Sequence, residues 1–317
     1  MRAARLRRGS RAWLVAAVTT TLVVGAAVTV AFGEMLGPER EAGSLTTDSS
    51  VPAPDAFVIA YNRLPGGPLE WSTYNALAAH IGEALDRPIA IRFVKNIDET
   101  CQLLGDGQVD AAFVSIYGYL VSNHGCLVDI VVTPVVGGRK LEAAVFVVCS
   151  GSRIVSLEDA RENRLVVTEP PSIGGYGYAA WRLDGLGETP ESFFGTVQFV
   201  QSHEESLQRL CAGQADIACV NRSQLASWPP GIFRIVDSSP EFGMPPMVVS
   251  RLVSEEERAA IAQAAYAFDV ESAEGVHGSM IERFVYTQPD DYGFARVIVD
   301  FQRSLLGAGG GERERNE

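Results

Sequence analysis

Residues 91–114 align with residues 197–220 at one constant offset and without a gap. Ten aligned pairs are identical, among them Phe93 with Phe199, Glu99 with Glu205, Gln102 with Gln208, Gly107 with Gly213, Gln108 with Gln214 and Asp110 with Asp216. The unit reads as a strand, a helix, a Gly-Gln-x-Asp turn and a second strand. Each glycine suits the C-terminal cap of the helix, and each aspartate the entry to the next strand. Asp110 and Asp216 are therefore assigned to structure. Two copies this far apart are not a solenoid. They predict two similar α/β lobes.

The chain around the repeat fits that plan. Apolar runs at 56–61, 88–94, 109–114, 127–136, 141–149 and 164–168 read as strands. Ser72 or Thr73 can cap a helix running through Leu85, with Leu77, Ile81 and Leu85 on one face. Further helices are expected at 98–104, 255–268 and 292–305. Strands alternating with helices make parallel or mixed sheets of α/β type. Residues 143–148 leave the first lobe, and residues 232–236 and 247–249 return to it, so two crossing strands form a hinge that can close. The predicted division is 54–145 plus 243–305 for lobe 1 and 146–242 for lobe 2, a two-lobe clamshell in which each lobe is a mixed sheet flanked by helices. Residues 306–317, glycine followed by charge, predict a disordered tail.

Residues 169–176 read EPPSIGGY and join an expected strand to an expected helix start. Pro171 pushes its neighbour away from helix, and the glycines let backbone approach a bound group. Free N–H groups at such a turn favour negative charge, which makes it a candidate oxyanion cradle. The alternative is an ordinary turn with Ser172 as its N-cap.

Residues 1–11 carry five arginines and no acid, and residues 12–32 carry no charge. That run is long enough to span a bilayer. The flanking charges put residues 1–11 in the cytoplasm and the body outside. The length favours an uncleaved anchor over a cleaved signal sequence, and either exports the body. Residues 33–53 read as a flexible linker. The net charge of −13 argues against nucleic acid as a partner. Cys101, Cys126, Cys149, Cys211 and Cys219 form no CxxC pair and predict no zinc site. Cys101 can bridge to Cys126 in an oxidising compartment, or both can be buried thiols. Pro170 occupies the place where a G-x-S-x-G elbow needs glycine, and no HExxH or Walker A motif occurs. No enzyme activity, cofactor or metal is expected.

From 57 to 301 the chain resembles the phosphate/phosphonate-binding proteins of ABC transporters, the PhnD-like group of type 2 periplasmic binding proteins. Several landmarks occur in the expected order. They are Tyr74 on the first helix, Gly107-Gln108-Val109-Asp110-Ala111-Ala112-Phe113 followed by Tyr119, Ser156-Leu157-Glu158-Asp159, Ser172-Ile173-Gly174-Gly175-Tyr176, Phe193-Phe194 followed by Ser202-His203-Glu204, and Ala215-Asp216-Ile217-Ala218. The resemblance implies a small oxyanion, of phosphate, phosphite or phosphonate type, held between the lobes and delivered to an ABC permease with its ATPase. A membrane-tethered ligand-sensing domain is the alternative. Carried over by position, the cradle is Ser172 with the N–H groups of Ile173, Gly174, Gly175 and Tyr176. His203 either faces the same cleft or caps its helix. Tyr119, Tyr61 and Asn62 lie at strand ends or in the following loops, where α/β clefts bind ligands; Tyr119 can equally be packing. The second serine of the family's cradle is Gly174 here. The segments 243–246 and 221–224, which supply an acid in aminophosphonate binders, hold no carboxylate. That argues against an aminophosphonate.

Overall fold

The structure, a computed structural model, describes residues 55–62, 68–122, 127–168 and 170–313. The expected cytoplasmic segment 1–11, membrane segment 12–32 and linker 33–53 lie outside the described residues. Among the described residues no helix is long and apolar enough to cross a membrane.

The repeat is visible bond for bond. Strand β1 (Phe57–Asn62) pairs in parallel with β2 (Ile89–Val94) and β3 (Ala111–Phe113). Strand β7 (Arg164–Thr168) pairs the same way with β8 (Thr196–Val200) and β9 (Ile217–Asn221). Ahead of helix Ile97–Gly105, the Asn96 side chain accepts the Glu99 N–H at 2.9 Å. Ahead of helix His203–Cys211, Ser202 accepts the Glu205 N–H at 3.1 Å. Both helices give way to a glycine with positive φ, +67° at Gly107 and +68° at Gly213, a conformation that an L side chain strains. Asp110 then accepts the Val58 N–H at 2.7 Å, and Asp216 the Arg164 N–H at 3.0 Å. The equivalence therefore reaches back to β1 and β7, beyond the stretch where the sequences align.

One sheet has the order β13-β4-β12-β3-β1-β2, with β4 (Val128–Val136), β12 (Met247–Ser250) and β13 (Ile281–Val285) antiparallel to their neighbours. The other has the order β10-β6-β9-β7-β8, with β6 (Ala144–Cys149) and β10 (Phe233–Ser238) antiparallel. The chain thus builds β1 to β4 in the first sheet, crosses to build all of the second, and returns to the first with β12 and β13. The crossings themselves, β5 (Leu141–Glu142) and β11 (Phe242–Gly243), pair antiparallel, with Phe242 opposite Glu142. Gly243 is required there, because a Cβ would stand 2.3 Å from the Tyr292 ring. The Tyr292 hydroxyl donates to the Met244 carbonyl at 2.5 Å.

Three expectations need correction. Residues 143–148 and 232–236, expected as the crossing strands, fall in β6 and β10 of the second sheet, and the crossings are β5 and β11 beside them. The first helix begins at Pro68, so Ser72 and Thr73 lie inside it and not at its N-cap. Proline suits a first turn whose N–H has no partner to lose, and buried Thr73 donates to Ser279 at 2.8 Å. The last helix runs from Gly293 to Arg313, well past residue 305. It packs against helix Ile116–Ser122 and against residues 173–184. Once that face is docked, each added residue gains a hydrogen bond without a new nucleation cost, glycines included.

Asp110→Ala and Asp216→Ala should each cost about 1–3 kcal/mol, because each strands an amide at the start of a parallel pair. Urea unfolding measures the loss. Values below a few tenths of a kcal/mol at both sites would refute the structural assignment of the aspartates.

Candidate functional site

Strand β3 of one sheet and β7, β8 and β9 of the other point their C-terminal ends at a cavity of about 500 Å³. Ser115 and Asn221, which directly follow the aligned valines Val114 and Val220, both line it. Tyr74 and Tyr117 join Ser115 on one side. Thr168, Ser172, Ile173, Gly174, Gln201, His203 and Ser223 face it from the other. Glu142, Met244 and Pro245 reach it from the crossings. Among the described residues that line it there is no lysine or arginine.

The floor is the turn after β7. Pro170–Pro171 is a cis peptide, and residues 173–177 form a π-helical turn with Ser172 at its N-cap. The Ser172 side chain makes no capping hydrogen bond. The first bond of the turn runs from the Gly177 N–H to the Ser172 carbonyl at 2.9 Å, so the N–H groups of residues 173–176 lie ahead of it. The glycines here are a steric necessity. A Cβ on Gly175 would stand 1.9 Å from Thr168 Oγ1, and one on Gly174 would stand 1.7 Å from Asn221 Oδ1.

Three polar atoms on this wall are buried without a hydrogen-bond partner: Thr168 Oγ1, His203 Nδ1 and Asn221 Oδ1. Each such group costs about 1–3 kcal/mol in a folded protein. Their convergence on one cavity marks it as a site. His203 is the first residue of its helix, and Ser202 does the capping. Burial pulls the His203 pKa down to about 4, so its imidazole is neutral near pH 7. Glu142 is buried too, and burial pushes its carboxyl upward. It accepts from the Ser223 hydroxyl at 2.5 Å, the Ser223 N–H at 3.1 Å and the Ala143 N–H at 2.9 Å.

The structure brings Ser172, Ile173, Gly174 and His203 to the cavity wall. Gly175 stands just behind, against Thr168. The other aromatic candidates are elsewhere. Tyr176 donates to Glu191 at 3.0 Å and packs on Phe199; burial pushes its pKa up to about 12. Tyr119 is in the core, with its ring 4.7 Å from that of Tyr292. Tyr61 is buried among Trp71, Tyr74 and Phe113. Asn62 closes β1, and its side chain lies outside the described residues. Sequence reasoning missed Ser115, Thr168, Gln201 and Glu142. Glu142 had a signal, as the only charge in the run 141–149. Cys101 is in a disulfide, while Cys149, Cys211 and Cys219 are free; Cys126 lies outside the described residues. A disulfide fits an oxidising compartment.

Two lobes joined by paired crossings, with unpartnered polar groups in the cleft, define a solute-binding clamshell. Residues 71–292 match the family described as ABC transporter, phosphonate, periplasmic substrate-binding protein, and the chain belongs to that family. It is thus an extracytoplasmic solute-binding protein of ABC-importer type. The PhnD1 protein of Prochlorococcus marinus, solved with methylphosphonate, superposes with a TM-score of 0.63 at 14% identity, over 79% of this chain and 99% of its own. A binding-protein component of a phosphonate ABC transporter from Pseudomonas aeruginosa gives 0.57 at 16% identity, over 82% and 100%. The Xanthomonas citri protein XAC2383, bound to ATP, gives 0.61 at 14% identity, over 79% and 98%. Identities this low establish the shared fold. Among curated proteins none is similar enough in sequence to register as a relative.

The unfolded chain protonates its histidine near pH 6.5, and the folded chain holds His203 neutral down to about 4. Stability should therefore fall as pH drops through that window, by at most about 1.4 kcal/mol per pH unit from this group. Above pH 6.5 the group is neutral in both states and adds no pH dependence. His203→Gln should flatten the fall, read as the difference between wild-type and variant melting temperatures from pH 7 to 4.5. Parallel curves would mean the imidazole is solvated.

Proposed function

We propose that the chain captures a small phosphorus oxyanion of phosphate, phosphite or phosphonate type in this cavity and delivers it to a membrane permease with its ATPase. The observation that carries this reading is the convergence of unpartnered Thr168 and His203 with Ser172 on the glycine turn. The Ser172 and Thr168 hydroxyls and the first N–H groups of the turn donate to the anion's oxygens. With its proton on Nδ1, neutral His203 adds another donor. Tyr74, Ser115 and Tyr117 complete the shell from the opposite side. Donors from both sides are satisfied together only in a closed cleft, so the ligand shifts the population towards closure. The two lobes divide near residues 145 and 243. The apolar segment 12–32 serves as an uncleaved anchor that keeps the body at the outer membrane face of the importer's bilayer.

A thermal-shift screen of the purified protein tests this reading. The panel is phosphate, phosphite, methylphosphonate, aminoethylphosphonate and sulfate. A true ligand at a hundred times its dissociation constant adds about 2.7 kcal/mol of stability. Ser172→Ala should weaken that ligand roughly tenfold, about the worth of one hydrogen bond to a charged group. No shift with any phosphorus oxyanion, or unchanged affinity in the variant, would overturn the assignment.

Glu142 supplies the cavity with the carboxyl group that segments 221–224 and 243–246 lack. Glu142→Gln keeps its shape and replaces the acid with a neutral amide. A simple oxyanion should then bind roughly tenfold tighter, and an amine-bearing one roughly tenfold weaker. Titration calorimetry with methylphosphonate and aminoethylphosphonate reads the sign, and so the ligand's class.

A further inference from the structure

Gly174 and Asn221 share one space. A side chain at 174 would begin 1.7 Å from Asn221 Oδ1 and 2.7 Å from Asn221 Cγ, so the Asn221 carboxamide fills the volume that residue 174 leaves empty. Asn221 ends β9, where its backbone is held opposite Ala144, next to the crossing strand. The Gly174 carbonyl is engaged by the Cys219 thiol at 3.5 Å, which ties the turn to the same strand. The carboxamide is thus fixed from below by β9 and from the side by the turn. Its Oδ1 is buried without a hydrogen-bond partner, and the residue lines the cavity.

We propose that Asn221 is a specificity-determining residue of this site. Its carboxamide stands in for a polar side chain at 174 and donates through Nδ2 to the bound oxyanion. Oδ1 is the end of the carboxamide packed against Gly174, which leaves Nδ2 as the end that donates. The bare backbone of Gly174 is what makes room for it. A serine there would bring a short hydroxyl and expel the carboxamide. A glycine there admits a longer group from the neighbouring strand, with two hydrogen-bonding atoms in a plane. Ser172 and Asn221 then hold the anion from two elements, the turn and β9. This inference rests on the oxyanion reading of the cavity and adds a residue to it.

The test has a stability arm and a binding arm. Gly174→Ser should lower the melting temperature, because its Cβ overlaps the carboxamide. Adding Asn221→Ala should restore most of the loss, since the nearest remaining atom is then the residue 221 backbone nitrogen at 3.3 Å. Additive losses in the double variant would overturn the shared-space claim without any ligand. In the binding arm, with methylphosphonate and inorganic phosphate as probes, Asn221→Ala should weaken affinity about tenfold. Asn221→Asp keeps the shape, replaces the donor with a carboxylate and should weaken it by a hundredfold or more. The Gly174→Ser, Asn221→Ala double variant should regain part of the affinity through the new hydroxyl. Wild-type binding with an unchanged Asn221→Asp variant would overturn the role of Asn221 alone. Absence of wild-type binding to either probe would overturn the oxyanion reading and this role with it.

Discussion

Two carboxylate–amide bonds set the level at which the cavity is built. Asp110 accepts from the start of β1 and Asp216 from the start of β7, in equivalent places of the repeat. Parallel neighbours have no hairpin between them to fix their register, so a side-chain bond at strand entry does that work. With the entries aligned, the strands also stop together. Ser115, Thr168 and Asn221 then emerge at one level, at the carboxyl ends of the strands where open α/β sheets bind ligands. The polar wall of the cavity is a consequence of register set at the far end of each strand.

The architecture was legible because its signals are local. A repeat of strand, helix and Gly-Gln-x-Asp turn carries its own caps and register bonds, and each can be read from a few adjacent residues. The Ser172 turn and His203 were legible for the same reason. Wall membership is another matter, because it depends on where strands end and on which side chains the core claims. Tyr119 and Tyr61 stand near strand ends, yet their rings have more to gain from Tyr292 and from Trp71 than from a wet cleft. Ser115 and Thr168 carry no motif of their own. Their place follows from the repeat once the strand ends are known. Pro68 started a helix earlier than the Ser72 and Thr73 caps suggest, since a proline in the first turn needs no capping side chain.

The paired crossings give the hinge a chemical identity. Glu142 sits in one of them and is satisfied by Ser223, which follows β9, and by its own neighbour Ala143. The other crossing is pinned by Tyr292 over Gly243. The last helix touches the short helix 116–122 of one lobe and the cradle turn of the other. A Cβ at Gly177, in that turn, would meet Gln302 and Ile298 of the last helix at 2.9 Å. The last helix therefore packs on the same few residues that shape the floor of the cavity. Packing this close ties the position of that helix to the shape of the floor.

A cleft wall with no lysine or arginine among its described residues behaves unlike a charged one. A cation attracts any anion and discriminates weakly, because its field is nearly isotropic. Hydroxyls, amides and a neutral imidazole attract only along their donor directions, so they count oxygens and read angles. Burial enforces that regime here. It keeps His203 neutral at pH 7, and it pushes the Glu142 carboxyl upward on the same wall. Directional groups of this kind must stand close together to act on one point. The bare backbone of Gly174 and Gly175 is the structural means of meeting that demand. It lets Thr168 and Asn221 crowd onto the turn, and so brings more polar groups to one point than side chains on the turn itself would allow.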